Sequence, residues 1–158
     1  MQNLYQLSYI SKNMIEGDKQ ILQSQIESIL TSASNNNVKL GITGALLYSG
    51  GYFCQVIEGE EDNLESIFET IQQDSRHAEI TVLNFEKTNE RNFSEWSMAF
   101  AGIEESMRFD ITGLKDIKDQ TSLQKAGKNI VNVLEVLVRK KQASEVVMIK
   151  NKELKINN

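Results

Sequence analysis

Gln55 is the side chain in this sequence whose position most needs a chemical explanation. It stands in the run Tyr52–Glu58, where strand alternation puts Phe53, Gln55 and Ile57 on one face. An amide between two large apolar residues on a buried face has two donors and one two-lone-pair acceptor to satisfy, and it costs stability if it fails. Something polar must meet it inside the core. Three other places in the chain can take part. Tyr9 shares parity with Leu7 in LYQLSYIS, and Asn37 closes the polar stretch before GITG. Trp96 and Met98 share one face of EWSMAF with Phe100. Nucleophilic chemistry has less to work with. The chain has one histidine, His77, and one cysteine, Cys54, and the cysteine alternates into a strand as a small apolar residue. No nucleophile–base pair is visible, so a hydrolase or oxidoreductase centre lacks support.

The elements that must position these residues follow from periodicity. Leu4–Ser11 alternates Tyr5, Leu7 and Tyr9 and reads as a first strand. Asp18 can cap a helix in which Ile21, Leu22, Ile26, Ile29, Leu30 and Ala33 recur at helical spacing. That helix is expected to end in Ser34–Asn37. The hairpin Gly41–Glu60 follows, its runs Ile42–Tyr48 and Tyr52–Glu58 joined by Ser49-Gly50-Gly51. Glu60, Glu61 and Asp62 place acids at the start of a second helix with Leu64, Ile67, Phe68 and Ile71 on its inner face. Ile80–Phe85 and Glu95–Ala101 read as fourth and fifth strands.

This order, β-α-β-β-α-β with one added strand, predicts an α+β, ferredoxin-like sheet with two helices on one face. Beyond Gly102 residues 104–121 are mixed and charged, with a short helix expected around Leu114–Ile117. Ser122–Gln142 forms a helix with a wide apolar stripe of Ile130, Val131, Val133, Leu134, Leu137 and Val138. The stripe either covers the free face of the sheet or packs on another subunit. Glu145–Ile149 is expected to add a short strand, and Asn157-Asn158 to fray. The division is therefore 1–103 as a site-bearing domain and 104–158 as a helical extension.

The ordered set of Tyr9 in a first strand, Asn37 before GITG, Phe53-x-Gln55-x-x-Glu58-Gly59-Glu60 in a hairpin and Trp96-Ser97-Met98 in a last strand resembles the BLUF family, the blue-light sensors using FAD. The resemblance covers residues 3–102. It implies a flavin ring inserted between the two helices beneath the sheet. Asn37, helped by Asn36, would hold the polar edge of the ring, since an amide offers donor and acceptor together. Ile29 and Ile71 would be apolar walls. Asp74, Arg76 and His77 would lie at the ribityl and phosphate end, with Arg76 the candidate phosphate contact. Tyr9 would lend an electron and a proton, and Gln55 would rearrange to give a red-shifted flavin in the same redox state. Trp96 and Met98 would relay the change. The cofactor would be FAD, with FMN open, because Thr70 stands where many members carry Lys or Arg. Read without the resemblance, Asn35–Asn37 ends a helix, Tyr9 is an amphipathic core residue, Trp96 and Met98 are packing, and Arg76 is a charged helix end.

Composition bounds the function classes. The chain has 158 residues, 40% hydrophobic, with a net charge of −5. That suits one domain with an appendage, and the acidic balance argues against nucleic acid as a main partner. The one dense basic cluster, Arg139-Lys140-Lys141, falls at the end of an apolar helix, where cations complement the dipole. A lone cysteine, no membrane-length apolar run and no secretory signal pattern lead to the expectation of a cytoplasmic protein without membrane contact. The expected function is that of a non-enzymatic photoreceptor acting through a homo-oligomer or a downstream protein partner. The alternative is a light-inactive or flavin-free ferredoxin-like interaction module.

Overall fold

The computed structural model describes residues 3–103 and 117–156. Along the chain run β1 (Leu4–Asn13), α1 (Lys19–Leu40), β2 (Thr43–Ser49), β3 (Tyr52–Glu60), α2 (Glu61–Gln72), β4 (His77–Lys87), β5 (Ala99–Ile103) and α3 (Gln120–Ile156). The strands make one sheet in the order β4-β1-β3-β2-β5. β5 runs parallel to β2, and every other neighbouring pair is antiparallel. This is the expected ferredoxin-like order with an added edge strand.

Alternation along the strands builds two cores. On one face Leu7, Tyr9, Leu46, Phe53 and Ile57 pack against Ile26 of α1 and Leu64 of α2. On the other, Ile10, Leu47, Cys54 and Val56 pack against Ile130, Val131, Leu134 and Val138 of α3. The wide stripe on α3 thus covers the free face of the sheet. Val136, on the outer side of that helix, is 59% exposed. Among the described residues no helix is long and apolar enough to cross a membrane.

Several boundaries differ from the sequence pattern, β4 for example running from His77 to Lys87, and three of the differences have a clear local reason. α1 is capped as expected by Asp18, whose carboxylate accepts from the Ile21 N–H at 3.0 Å. It does not stop in Ser34–Asn37, however. It continues to Leu40 and ends where Gly41 adopts a left-handed conformation, with φ 64°. There the Ile42 N–H reaches back to the Asn37 carbonyl at 2.9 Å. Asn37 therefore lies in the last helical turn.

The fifth strand begins at Ala99, because Phe93–Trp96 closes a turn through a Trp96 N–H to Phe93 carbonyl bond of 3.1 Å. The pairing with β2 opens at Ala45 opposite Ala99. Finally, Glu145–Ile149 belongs to α3 and not to a strand. No glycine or proline follows Gly127 in α3, so nothing breaks the helix, and the β-preference of two valines and an isoleucine is too weak to do so. The short helix expected around Leu114–Ile117 and the tail Asn157-Asn158 lie outside the described residues, apart from Ile117.

Candidate functional site

Between α1 and α2, under the sheet, lies a cleft of about 800 Å³ including its open mouth. Its walls are apolar, with Ile29 and Ala33 on α1, Ile67 and Ile71 on α2, and Leu46, Phe53 and Ile57 on the sheet. Polar groups converge on it at two levels. Tyr9, Gln55, Asn37 and Met98 lie at the inner end and Asp74, Arg76 and His77 toward the α2 end, with Asn36 and Thr70 also on the lining. Volume and lining suit an organic ligand of some size.

The inner group is a product of strand register. Tyr9 of β1 and Leu46 of β2 stand directly opposite Gln55 on either side of β3. The Tyr9 hydroxyl donates to Gln55 Oε1. Gln55 Nε2 points at Met98 Sδ, 3.6 Å away. Both Tyr9 and Gln55 are buried. Burial is the main reason the Tyr9 phenol is pushed far above its ordinary pKa, with the Asp74 charge adding to it. The ring is stacked edge-on to Phe68 with centroids 5.5 Å apart. The group polar enough to meet the buried amide is thus a neutral phenol. A thioether is a weak acceptor, so the Nε2 end of Gln55 is only weakly held.

Asn37 reaches the same end of the cleft from the last turn of α1. It is 2% exposed, and its Nδ2 donates to the Ser97 carbonyl at 2.7 Å. That engages one N–H of the amide, and the Asn37 side chain lines the cleft. Gly44 of β2 keeps this corner tight, since a Cβ there would lie 2.2 Å from the Val56 carbonyl oxygen. The Gly44 N–H donates to the Trp96 carbonyl at 3.1 Å. Asn36 is exposed on the lip.

Met98 and Trp96 do not share a face as the alternation of EWSMAF suggested. Met98 packs in the core beneath the sheet, and Trp96 packs against the opposite core under α3. There the Arg139 guanidinium lies 5.6 Å from the centre of the indole. The turn at Phe93–Trp96 breaks the period-two pattern before the strand starts, so spacing could not assign these two side chains.

At the α2 end Asp74 and Arg76 are engaged with each other. Arg76 Nε donates to both Asp74 oxygens at 2.9 and 3.0 Å, and Nη2 to Oδ2 at 2.5 Å. The side-chain hydrogen bond from Arg76 is the main cause that holds the Asp74 carboxyl below its usual range. Asp74 in turn raises Arg76. His77 bridges elements, with Nδ1 2.7 Å from Ser11 Oγ and Nε2 2.6 Å from the Ile71 carbonyl. A carbonyl can only accept, so Nε2 carries the proton toward it. Thr70 turns back on its own helix, donating to the Ser66 carbonyl at 3.4 Å.

Sequence reasoning named Glu58 in the hairpin motif but gave it no role. Its parity with Cys54 and Val56 places it on the face away from the cleft, fully buried. Its carboxylate accepts from the backbone N–H groups of Asn92 (2.7 Å) and Phe93 (2.8 Å) and from Gln6 Nε2 (3.0 Å). An acid at an inward strand position was the available signal. What it would bind was out of sight, because the donors come from a loop.

The donor set and shape fit a flavin. A flat heteroaromatic ring with carbonyl and N–H groups along one edge needs an apolar slot ending in amides. The cleft is lined by the side-chain amides of Asn37 and Gln55, the second of them weakly held.

Comparison with known proteins bears on the same residues. The profile of BLUF, described as "Sensors of blue-light using FAD", matches residues 4–99. Photoactivated adenylate cyclase subunit beta of Euglena longa is 30% identical over 115 residues, 72% of this chain but 13% of that protein. The blue light- and temperature-regulated antirepressor BluF of Escherichia coli K12 is 29% identical over 102 residues, 65% of this chain and 25% of that one. The chain thus spans a small part of the length of these relatives. The dark-state structure of BlrB, a BLUF protein, superposes with a TM-score of 0.64 at 29% identity. That alignment covers 85% of this chain and 99% of the other.

Proposed function

Since this chain belongs to the BLUF family of blue-light sensors, we propose that its light reaction is carried by Tyr9, Gln55 and Met98, and that the signal leaves through α3. The flavin supplies the absorption of blue light and an excited state that is a strong oxidant. Asn37 holds the polar edge of the ring with Oδ1, Gln55 meets it at the inner end, and Ile29 and Ile71 wall it from either side. Asn36 shields the lip. Asp74 and Arg76 stand toward the ribityl and phosphate portion. With Arg76 already bound by Asp74 and Thr70 unable to supply charge, phosphate anchoring is weak, and FMN should bind as well as FAD.

The observation that carries this reading is the Tyr9–Gln55–Met98 chain of contacts. Tyr9 is the group able to lend an electron, and its proton already points at Gln55 Oε1. A Gln amide can exchange its two ends by rotating, or alter them by tautomerising. If Oε1 turned toward Met98, it would face a thioether that has no proton to give. The buried oxygen would then be unpaired on that side, which is unfavourable enough to move one of the two groups. Met98 therefore registers the state of Gln55. Trp96, on the other side of the sheet, registers it only through the chain that joins it to Met98.

We read the chain as non-enzymatic, with 1–103 as the light-sensing unit and 104–158 as the output element acting on a second copy or on another protein. The experiment is an absorption spectrum before and after a blue pulse, followed in the dark. A small red shift that reverts unaided, absent in Tyr9→Phe and Gln55→Leu, is expected. A yellow protein with no shift, or a colourless one that takes up no flavin, would overturn the reading.

A further inference from the structure

The segment Asn92–Met98 between β4 and β5 touches both the site and α3, and its two ends are held by different contacts. At its start, the buried Glu58 carboxylate takes the N–H groups of Asn92 and Phe93 at 2.7 and 2.8 Å. Two short backbone bonds to one buried carboxyl group hold this end in place. Glu58 stands on β3, the strand that carries Gln55, so the start of the segment is fixed to the sheet. At its end, the Trp96 and Ser97 carbonyls accept from the Gly44 N–H (3.1 Å) and Asn37 Nδ2 (2.7 Å), and the Met98 side chain meets Gln55 through a thioether contact of 3.6 Å. The start is a pivot, and at the end the Met98 side chain is the soft contact.

What faces α3 from this segment is also specific. Asn92 Nδ2 donates to Glu135 Oε2 at 3.1 Å. Trp96, between the pivot and Met98, lies under the Arg139 guanidinium at 5.6 Å. Glu135 and Arg139 are one turn apart on α3 and are paired to each other at 3.4 Å. Two side chains of the segment thus land on one ion pair, while Phe93 packs in the apolar core beneath α3. Asn92, near the pivot, keeps its place, whereas the Trp96 indole, two residues from Met98, is the side chain that a change at Met98 can shift.

Resting on the light reaction proposed above, we infer that the Glu135–Arg139 pair on α3 is the receiver of the signal, with Asn92–Met98 acting as a lever pivoted on Glu58. A change at Met98 shifts the indole against Arg139 while Asn92 holds Glu135, and this loosens or tightens the docking of α3 on the sheet. The physical requirement is an element with two arrangements whose balance the site can bias. The contacts that differ between the two arrangements are those of Arg139 with Trp96 and Glu135.

The test uses the full chain with flavin bound. Hydrogen exchange of the peptide spanning Ile130–Val138 is compared in the dark and under continuous blue light, alongside the flavin spectrum. In the unsubstituted protein the peptide is expected to change its exchange rate in light. The double variant Glu135→Ala/Arg139→Ala is expected to keep flavin and the full red shift and to lose that change. Arg139→Lys, which keeps a cation for the indole, should retain it. Both side chains are partly exposed, so neither variant should compromise folding.

A double variant that responds to light like the parent would overturn the lever. So would one that loses the red shift, because the pair would then act on the photochemistry itself. A parent protein with a red shift but no change in α3 would overturn the output through α3, and the lever with it. No red shift in the parent would instead overturn the light reaction.

Discussion

Substitutions at Tyr9 and Gln55 should fail to add, and the size of the failure follows from their burial. The Tyr9 hydroxyl has one partner, Gln55 Oε1, and the two residues are 2% and 6% exposed. Tyr9→Phe leaves a buried amide oxygen without its donor, at a cost of about 1–3 kcal/mol. Gln55→Leu leaves the phenol hydroxyl unpaired in the same surroundings, a cost of the same size offset in part by the apolar area that Leu buries. It also gives up the contact to Met98 Sδ, which contributes little because sulfur is a weak acceptor. The double variant removes both polar groups and leaves neither stranded. Its destabilisation should fall short of the sum of the singles by about 1–3 kcal/mol. Urea unfolding in the dark at one fixed, saturating flavin concentration is the assay, since bound ligand adds its own stabilisation. With a typical slope for a small domain, the coupling amounts to a shift of order 1 M in midpoint. The red shift, by contrast, should be absent from all three variants, because restoring stability does not restore the donor. Additivity within ~0.5 kcal/mol would refute the pairing as the account of why an amide is tolerated in this core.

Three further outcomes follow from other parts of the molecule. At Gly127 α3 packs tightly on β1 and β4, and a Cβ there would lie 2.8 Å from Ser8 Oγ and 3.0 Å from Asn84 Cβ. Gly127→Ala should therefore lower thermal stability by about 1–3 kcal/mol from overpacking, in spite of the ~1 kcal/mol gain in helix propensity. The Cys54 thiol, buried on the α3 side, is pushed by that burial from its ordinary 9.0 up to about 12. It should resist alkylation at mildly alkaline pH until the protein is unfolded. Its contribution to stability should be complete below 9.0 and lost as pH rises toward about 12, which urea midpoints across that range would show. Asp74 has its carboxyl lowered by Arg76, so its contribution is present above the ordinary carboxylate value of 3.8 and lost as pH falls through the lowered one. Asp74→Asn should flatten the acid limb of the same titration, modestly, because the pair is partly open to solvent.

The residues proposed for the light reaction were legible where local rules suffice. Period-two alternation put Gln55 with Phe53 and Ile57, and Tyr9 with Leu7, because a strand side chain has only two faces to choose between. Asp18 announced the start of α1 through the chemistry of an N-cap. The acids at the head of α2 and the apolar stripe of the last helix were equally local. The order of those pieces was enough to reveal the family.

What tertiary structure alone decided lies wherever a local pattern ends or two patterns meet. Asn37 looked like a helix terminus, yet the left-handed Gly41 four residues later is what stops α1, and this turns Asn37 inward. Trp96 and Met98 had the spacing of one face, but alternation holds only inside a ladder, and the turn at Phe93–Trp96 sent them to opposite sides of the sheet. Glu145–Ile149 had strand-like composition, and the helix before it simply had nothing to end it. The bonds of Glu58 to Asn92 and Phe93 join residues more than thirty positions apart. Those of Asn92 to Glu135 span more than forty. Such contacts follow from how the loop is folded back over the sheet, and no spacing in the sequence encodes that. The sequence determined which side chains could take part in the chemistry; the fold decided which of them touch.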